Sequence, residues 1–134
     1  MIIDSHAHIF PPEVQADRAK YLCHEEACAL IYGDPAAKMV ESSQLIQAMD
    51  EDGVDKSVVC SFPWRDIGRA SMHNDYILAE AGAHPDRLIP LAAVDPLAKG
   101  ALKEAERALA AGAAGLGEIG VYYSDLGAQN IVEA

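Results

Sequence analysis

Asp4-Ser5-His6-Ala7-His8, directly behind the apolar start Met1-Ile2-Ile3, is where this sequence is best equipped for chemistry. In an extended strand alternate side chains share a face, so Asp4, His6 and His8 are expected to point the same way. Two imidazoles at that spacing can close on one transition-metal ion, each at roughly 2.0–2.1 Å. Imidazole suits Zn, Fe, Ni and Cu better than Mg or Ca. The pair could also be two polar residues at a strand end. A metal reading gains from Phe10-Pro11-Pro12, which ends the strand just beyond the histidines. They then sit at the carboxyl end of a strand, where parallel α/β folds collect ligands and catalytic groups. Asp4 is a candidate for holding the second ring nitrogen of a ligand histidine, or is a buried carboxylate lower in the sheet.

Further candidates carry weaker signals. Trp64 and Arg65 follow the second apolar run directly, in Ser61-Phe62-Pro63-Trp64-Arg65. An aromatic plane and a guanidinium suit an acidic, unsaturated or aromatic substrate. They are equally read as a rim Trp packed on the long excursion over 9–41 and a solvated Arg. His73 is expected to cap or pack a helix, and His84 lies in an Ala-His-Pro-Asp turn with a structural role. Cys23-His24-Glu25-Glu26-Ala27-Cys28 lacks zinc-site spacing and has no second pair to complete it. Cys60, in an apolar run, reads as a small core residue. Tyr122, Tyr123 and Asp125 are weak candidates for a pocket mouth.

The elements that must position these groups alternate regularly. A first strand is expected over residues 1–8. A long excursion over 9–41 follows, with short helical turns at 13–23 and 25–32 and a turn at Gly33-Asp34-Pro35. An excursion of that length off a strand end is usually a functional cover. Ser42 or Ser43 can cap a helix carrying Leu45, Ile46 and Met49, and Gly53 ends it. Strand, helix, strand, helix and strand are then expected over 56–62, 71–83, 88–94, 99–111 and 113–119, with the start of a fourth helix over 125–134. The pattern is that of βαβ units on a parallel sheet: a small open α/β sheet or half of a (β/α)8 barrel. A flavodoxin-like domain is disfavoured, because no glycine-rich phosphate loop follows the first strand.

Bulk composition narrows the partners. The chain has 134 residues, one domain's worth, and 51% of them are hydrophobic, enough for a core. Its net charge of −11 disfavours nucleic acid and anionic membrane surfaces. No apolar run reaches the ~20 residues of a membrane span, and no secretory signal is evident. Three scattered cysteines, Cys23, Cys28 and Cys60, fit reduced thiols and a cytoplasmic location.

The opening Ile-Ile-Asp-Ser-His-Ala-His-Ile-Phe-Pro-Pro resembles the first strand of the amidohydrolase superfamily, closest to its amidohydrolase-related branch, which includes aminocarboxymuconate semialdehyde decarboxylase. Residues 48–56 (Ala-Met-Asp-Glu-Asp-Gly-Val-Asp-Lys), His73-Asn74-Asp75-Tyr76 and Pro85-Asp86-Arg87-Leu88-Ile89-Pro90 are similar to that branch in the same order. Gly115-Leu116-Gly117-Glu118-Ile119-Gly120 resembles TatD-like hydrolases. The resemblance implies the N-terminal half of a TIM-type (β/α)8 barrel and a metal-dependent hydrolase or decarboxylase. It implies a divalent metal, most simply Zn, on His6 and His8, and a small acidic or aromatic substrate. Relatives use a group on strand four, and Glu118, flanked by glycines, is the candidate here if it points inward. The remaining family ligands, on strands five, six and eight, have no counterpart in these residues, so the general base is expected beyond residue 134. Either a longer parent supplies it or the chain is a catalytically inactive half-barrel, a binding or assembly module. A half-barrel would expose two sheet edges, so a homo-oligomer is expected.

Overall fold

A computed structural model describes residues 1–119; the expected helix over 125–134, and Tyr122, Tyr123 and Asp125, lie outside the described residues. Four parallel strands, β1 (Ile3–His8), β2 (Lys56–Cys60), β3 (Leu88–Ala92) and β4 (Gly115–Leu116), form one sheet in the order β1-β2-β3-β4. Helices α4 (Ser42–Asp52), α5 (Ile67–Ala83) and α6 (Ala101–Ala110) make the successive crossovers. The excursion holds α1 (Pro12–Ala16), α2 (Arg18–Leu22) and α3 (Glu26–Tyr32). Among the described residues no helix is long and apolar enough to cross a membrane.

Local chemistry explains the boundaries. Glu41, rather than Ser42 or Ser43, is the N-cap of α4, and its backbone N–H donates to Gln44 Oε1 at 3.0 Å. Gly53 ends that helix at φ 70°, a conformation that disfavours a side chain. Helix α5 starts at Ile67 rather than 71, because the Asp66 carboxylate accepts from the Arg69 N–H at 2.9 Å. β4 is two residues long, shorter than the apolar run over 113–119 implies.

Two apolar clusters hold the sheet in place. On one face Ile9, Val59 and Leu88 pack against Met49 of α4 and Ile77 and Ala81 of α5. At the carboxyl end of β1 and β2 the excursion contributes Val14, Ala27, Cys28 and Met39 to a cluster with Phe10, Phe62, Trp64 and Ala70. Polar clamps fix the excursion there. The Glu25 carboxylate, 2% exposed, accepts from the Arg65 and Asp66 amides at 2.9 Å each. Arg18 donates to the carbonyls of Tyr32, Asp34 and Ala37, and Arg69 to those of Tyr21 and Cys23. The excursion is therefore a cross-braced cover over the strand ends.

The first strand contains an irregularity that periodicity alone misses. Asp4 pairs with Ser57 and Ala7 with Val59, so β1 spends one residue more than β2 over this stretch. The bulge moves Asp4 onto the face of Ser57 and Val59, away from the face His8 shares with Cys60.

Candidate metal centre

His6, His8 and Glu118 converge. One ligand atom from each lies within 4.8 Å of the others. His6 Nε2 and His8 Nε2 are 2.9 Å apart, and the Glu118 Oε2 carboxylate oxygen lies 3.2 Å from His8 Nε2 and 3.7 Å from His6 Nε2. A triangle with those three edges has a centre about 1.9 Å from every corner, close to the ~2.0–2.2 Å at which Zn binds imidazole nitrogen and carboxylate oxygen. This donor set fits a divalent transition metal.

Each arm of the triangle is positioned differently. His8 is the deepest, its side chain 16% exposed. Its Nδ1 lies 3.2 Å from the Cys60 carbonyl. A carbonyl only accepts, so Nδ1 carries the proton and Nε2 keeps its lone pair for a metal. Burial, then the neighbouring His6, lowers the His8 pKa, with Glu118 opposing. The ring is thus kept neutral, the form a metal needs. His6 is 53% exposed at the side chain. Glu118 sits two residues past β4 rather than inside it. Beside it, a Cβ at Gly117 would lie 3.1 Å from Leu91 Cδ1, so glycine lets this segment approach β3 closely.

The other candidates distribute as follows. Asp4 does not hold a histidine ring. Its oxygens accept from the His6 backbone N–H at 3.1 Å and the Ser57 hydroxyl at 3.1 Å, and the Cys60 carbonyl takes the outer role beside His8. Trp64 is corrected to a core residue: it is 0% exposed, and its indole N–H donates to His73 Nδ1 at 3.0 Å, so it has no face to offer a ligand. Arg65 is exposed beyond β2, with its backbone N–H fixed by Glu25. Cys60 is buried, and its thiol is pushed up to about 11 by burial and by Glu118. Cys28 is likewise a buried thiol, pushed up to about 12 mainly by burial.

Sequence reasoning undervalued His73. It is fully buried, and burial pushes its pKa down to about 4. A signal was present: Ala70, His73, Ile77 and Ala81 fall on one helical stripe, and all four are buried. Nothing in the residue types marks the Cys60 carbonyl as a partner, because every residue has a carbonyl.

No protein-family profile and no curated sequence matches the chain. Solved structures do match its shape. 5-Carboxyvanillate decarboxylase LigW from Sphingomonas paucimobilis superposes with a TM-score of 0.71 at 22% identity, over 93% of this chain and 44% of that one. LigW2 from Novosphingobium aromaticivorans, with bound manganese and 3-methoxy-4-hydroxy-5-nitrobenzoic acid, gives 0.66 at 18% identity, over 87% and 41%. The fold is that of a partial TIM barrel. 2,6-Dihydroxybenzoate decarboxylase from Rhizobium gives 0.55 at 23% identity, over 86% and 37%. The partial barrel thus spans about two-fifths of the length of these structures.

Proposed function

We propose that this chain carries the strand-one-to-four portion of a metal-dependent decarboxylase or hydrolase acting on small acidic, aromatic or unsaturated substrates. The observation that carries the reading is the convergence of His6, His8 and Glu118 at the carboxyl end of a partial TIM barrel. His6 and His8 would supply the neutral nitrogen ligands and Glu118 an anionic oxygen. Zn is the simplest occupant of this set, and the manganese of one structural neighbour makes Mn the alternative. A divalent metal there supplies Lewis acidity, polarising a substrate oxygen or activating a water. The Cys60 carbonyl holds the His8 proton on Nδ1, and the rings of Phe10 and Phe62, 6.4 and 6.5 Å from that of His8, flank it. Arg65, exposed past β2, is the candidate for a substrate carboxylate. The substrate class is supported by the aromatic acids named for two structural neighbours.

Metal titration of the purified chain tests the reading, followed by an assay for carbon dioxide release from hydroxylated benzoic acids. One tightly bound ion per chain, lost in His6→Ala and His8→Ala, supports it. Unchanged metal content in both variants sinks it.

A second reading, a half-barrel that assembles with a second copy, is favoured by the exposed apolar residues on the outer strands, Ile3 at 45% and Leu116 at 38%. A defined dimer carrying no stoichiometric metal would replace the first reading with this one.

A further inference from the structure

We propose that His73 is a positioning residue for the metal centre: it clamps the ends of β1 and β2 together and so fixes the ring of His8 that faces His6 and Glu118. The role rests on reading those three residues as a metal site.

The geometry is explicit. His73 Nε2 lies 2.7 Å from the Ile9 carbonyl, which only accepts, so Nε2 carries the proton. Nδ1 then accepts twice, from the Phe62 backbone N–H at 3.2 Å and the Trp64 indole N–H at 3.0 Å. Ile9 follows His8 directly, and Phe62 lies two residues past Cys60. The β1–β2 pairing ends at His8 opposite Cys60. Beyond that pair the strands have no ladder partner in each other, and His73 takes its place as a single rigid ring bonded to both. The hydrogen bond from His8 Nδ1 to the Cys60 carbonyl lies immediately on the site side of this clamp.

The next residue on α5 provides an internal comparison. Asn74 joins β2 to the end of β3: its Oδ1 accepts from Ser61 Oγ at 2.5 Å and from the Ala93 N–H at 3.0 Å, and its Nδ2 donates to the Ala93 carbonyl at 3.2 Å. Ser61 and Asn74 are as buried as His73, but none of their bonds runs to β1. Disturbing this second staple loosens the sheet without releasing His8.

The test uses the full chain with His73→Phe, which keeps an aromatic ring, a slightly larger one, and removes every polar atom, and Ser61→Ala as the comparison. In metal-free protein, ring-nitrogen NMR reads the His8 tautomer. Titration with Zn2+ and Mn2+ reads affinity. Wild type is expected to show one His8 tautomer, protonated at Nδ1. His73→Phe is expected to show mixed tautomers and about 10-fold weaker metal binding, the lower end of what losing a supporting partner costs. Ser61→Ala should lose stability and keep both readouts. A folded His73→Phe with the wild-type His8 tautomer overturns the proposal, as does Ser61→Ala disturbing His8 equally. If His73→Phe does not fold, His73→Gln decides, since it keeps a donor and an acceptor but loses the fixed angle between them. Mixed His8 tautomers there uphold the proposal and a single one overturns it. Wild type that binds neither ion refutes the metal reading, while the tautomer comparison still tests the clamp.

Discussion

The two ends of the sheet are built to different standards. At the β1–β2 end, paired residues run as far as His8 opposite Cys60, and the excursion, Glu25 and His73 brace the chain beyond them. At the β3–β4 end, two residue pairs are made, and Glu118 follows β4 with Leu116 and Ile119 exposed on either side. His8, on the histidine side of the candidate metal centre, is therefore pre-organised from behind, and the carboxylate arm follows a short outer strand. A pre-organised ligand loses little freedom on binding, whereas a less constrained one must be ordered. Most of the metal affinity should accordingly come from the histidine side.

Removing ligands should expose this asymmetry most strongly. His8→Ala is expected to weaken binding of a divalent ion by more than about 100-fold, beyond the range seen for outer partners. Glu118→Gln should cost less, about 10- to 100-fold. Isothermal titration of both variants makes the comparison, and equal losses would mean that the two arms are equally organised.

Acid should attack the braced end. His73 has a folded pKa of about 4 against 6.5 for the free side chain. Between those values the unfolded chain binds more protons than the folded one, so stability falls as pH drops from about 6.5 to about 4. The full penalty is about 3 kcal/mol at 1.36 kcal/mol per unit. Urea denaturation at several pH values should show a fall that is smaller in His73→Phe by about that amount. An identical slope in both chains would place the acid sensitivity elsewhere.

Glu25→Ala removes the acceptor of two amides under the excursion and should destabilise the fold by about 1–3 kcal/mol, read as a lower Tm. The smallest effect is expected on the opposite side. Gly117→Ala brings a Cβ to 3.1 Å from the end of the half-buried Leu91 side chain, which can turn aside. Its cost should stay under about 1 kcal/mol, with any loss of metal affinity reporting displacement of Glu118. A cost of several kcal/mol would show that the β3–β4 end is as tightly packed as the other.

Much of this was legible in the residues. Alternation of apolar runs with Gly and Pro breaks marked the strands and crossovers, because buried parallel strands and amphipathic helices leave different periods in a sequence. His6 and His8 were visible because their spacing survives the fold. Asp4 misled because a bulge changes the face of a residue without changing its type or spacing. Trp64 was left undecided because the sequence places it at a strand end without showing which segment covers it; here it is the excursion, in the cluster holding Val14 and Cys28. The supports of the site were hidden for a different reason. The Cys60 carbonyl belongs to the backbone, and the His73 clamp joins residues 64 apart in the chain.

The most direct test is the metal content of the purified chain and its His8→Ala variant after exchange against equimolar Zn2+ and Mn2+, with folding checked by circular dichroism. The structure predicts about one divalent ion per folded wild-type chain and essentially none in the variant. A folded wild-type chain without bound ion, or a His8→Ala chain that retains it, would contradict a metal centre at His6, His8 and Glu118.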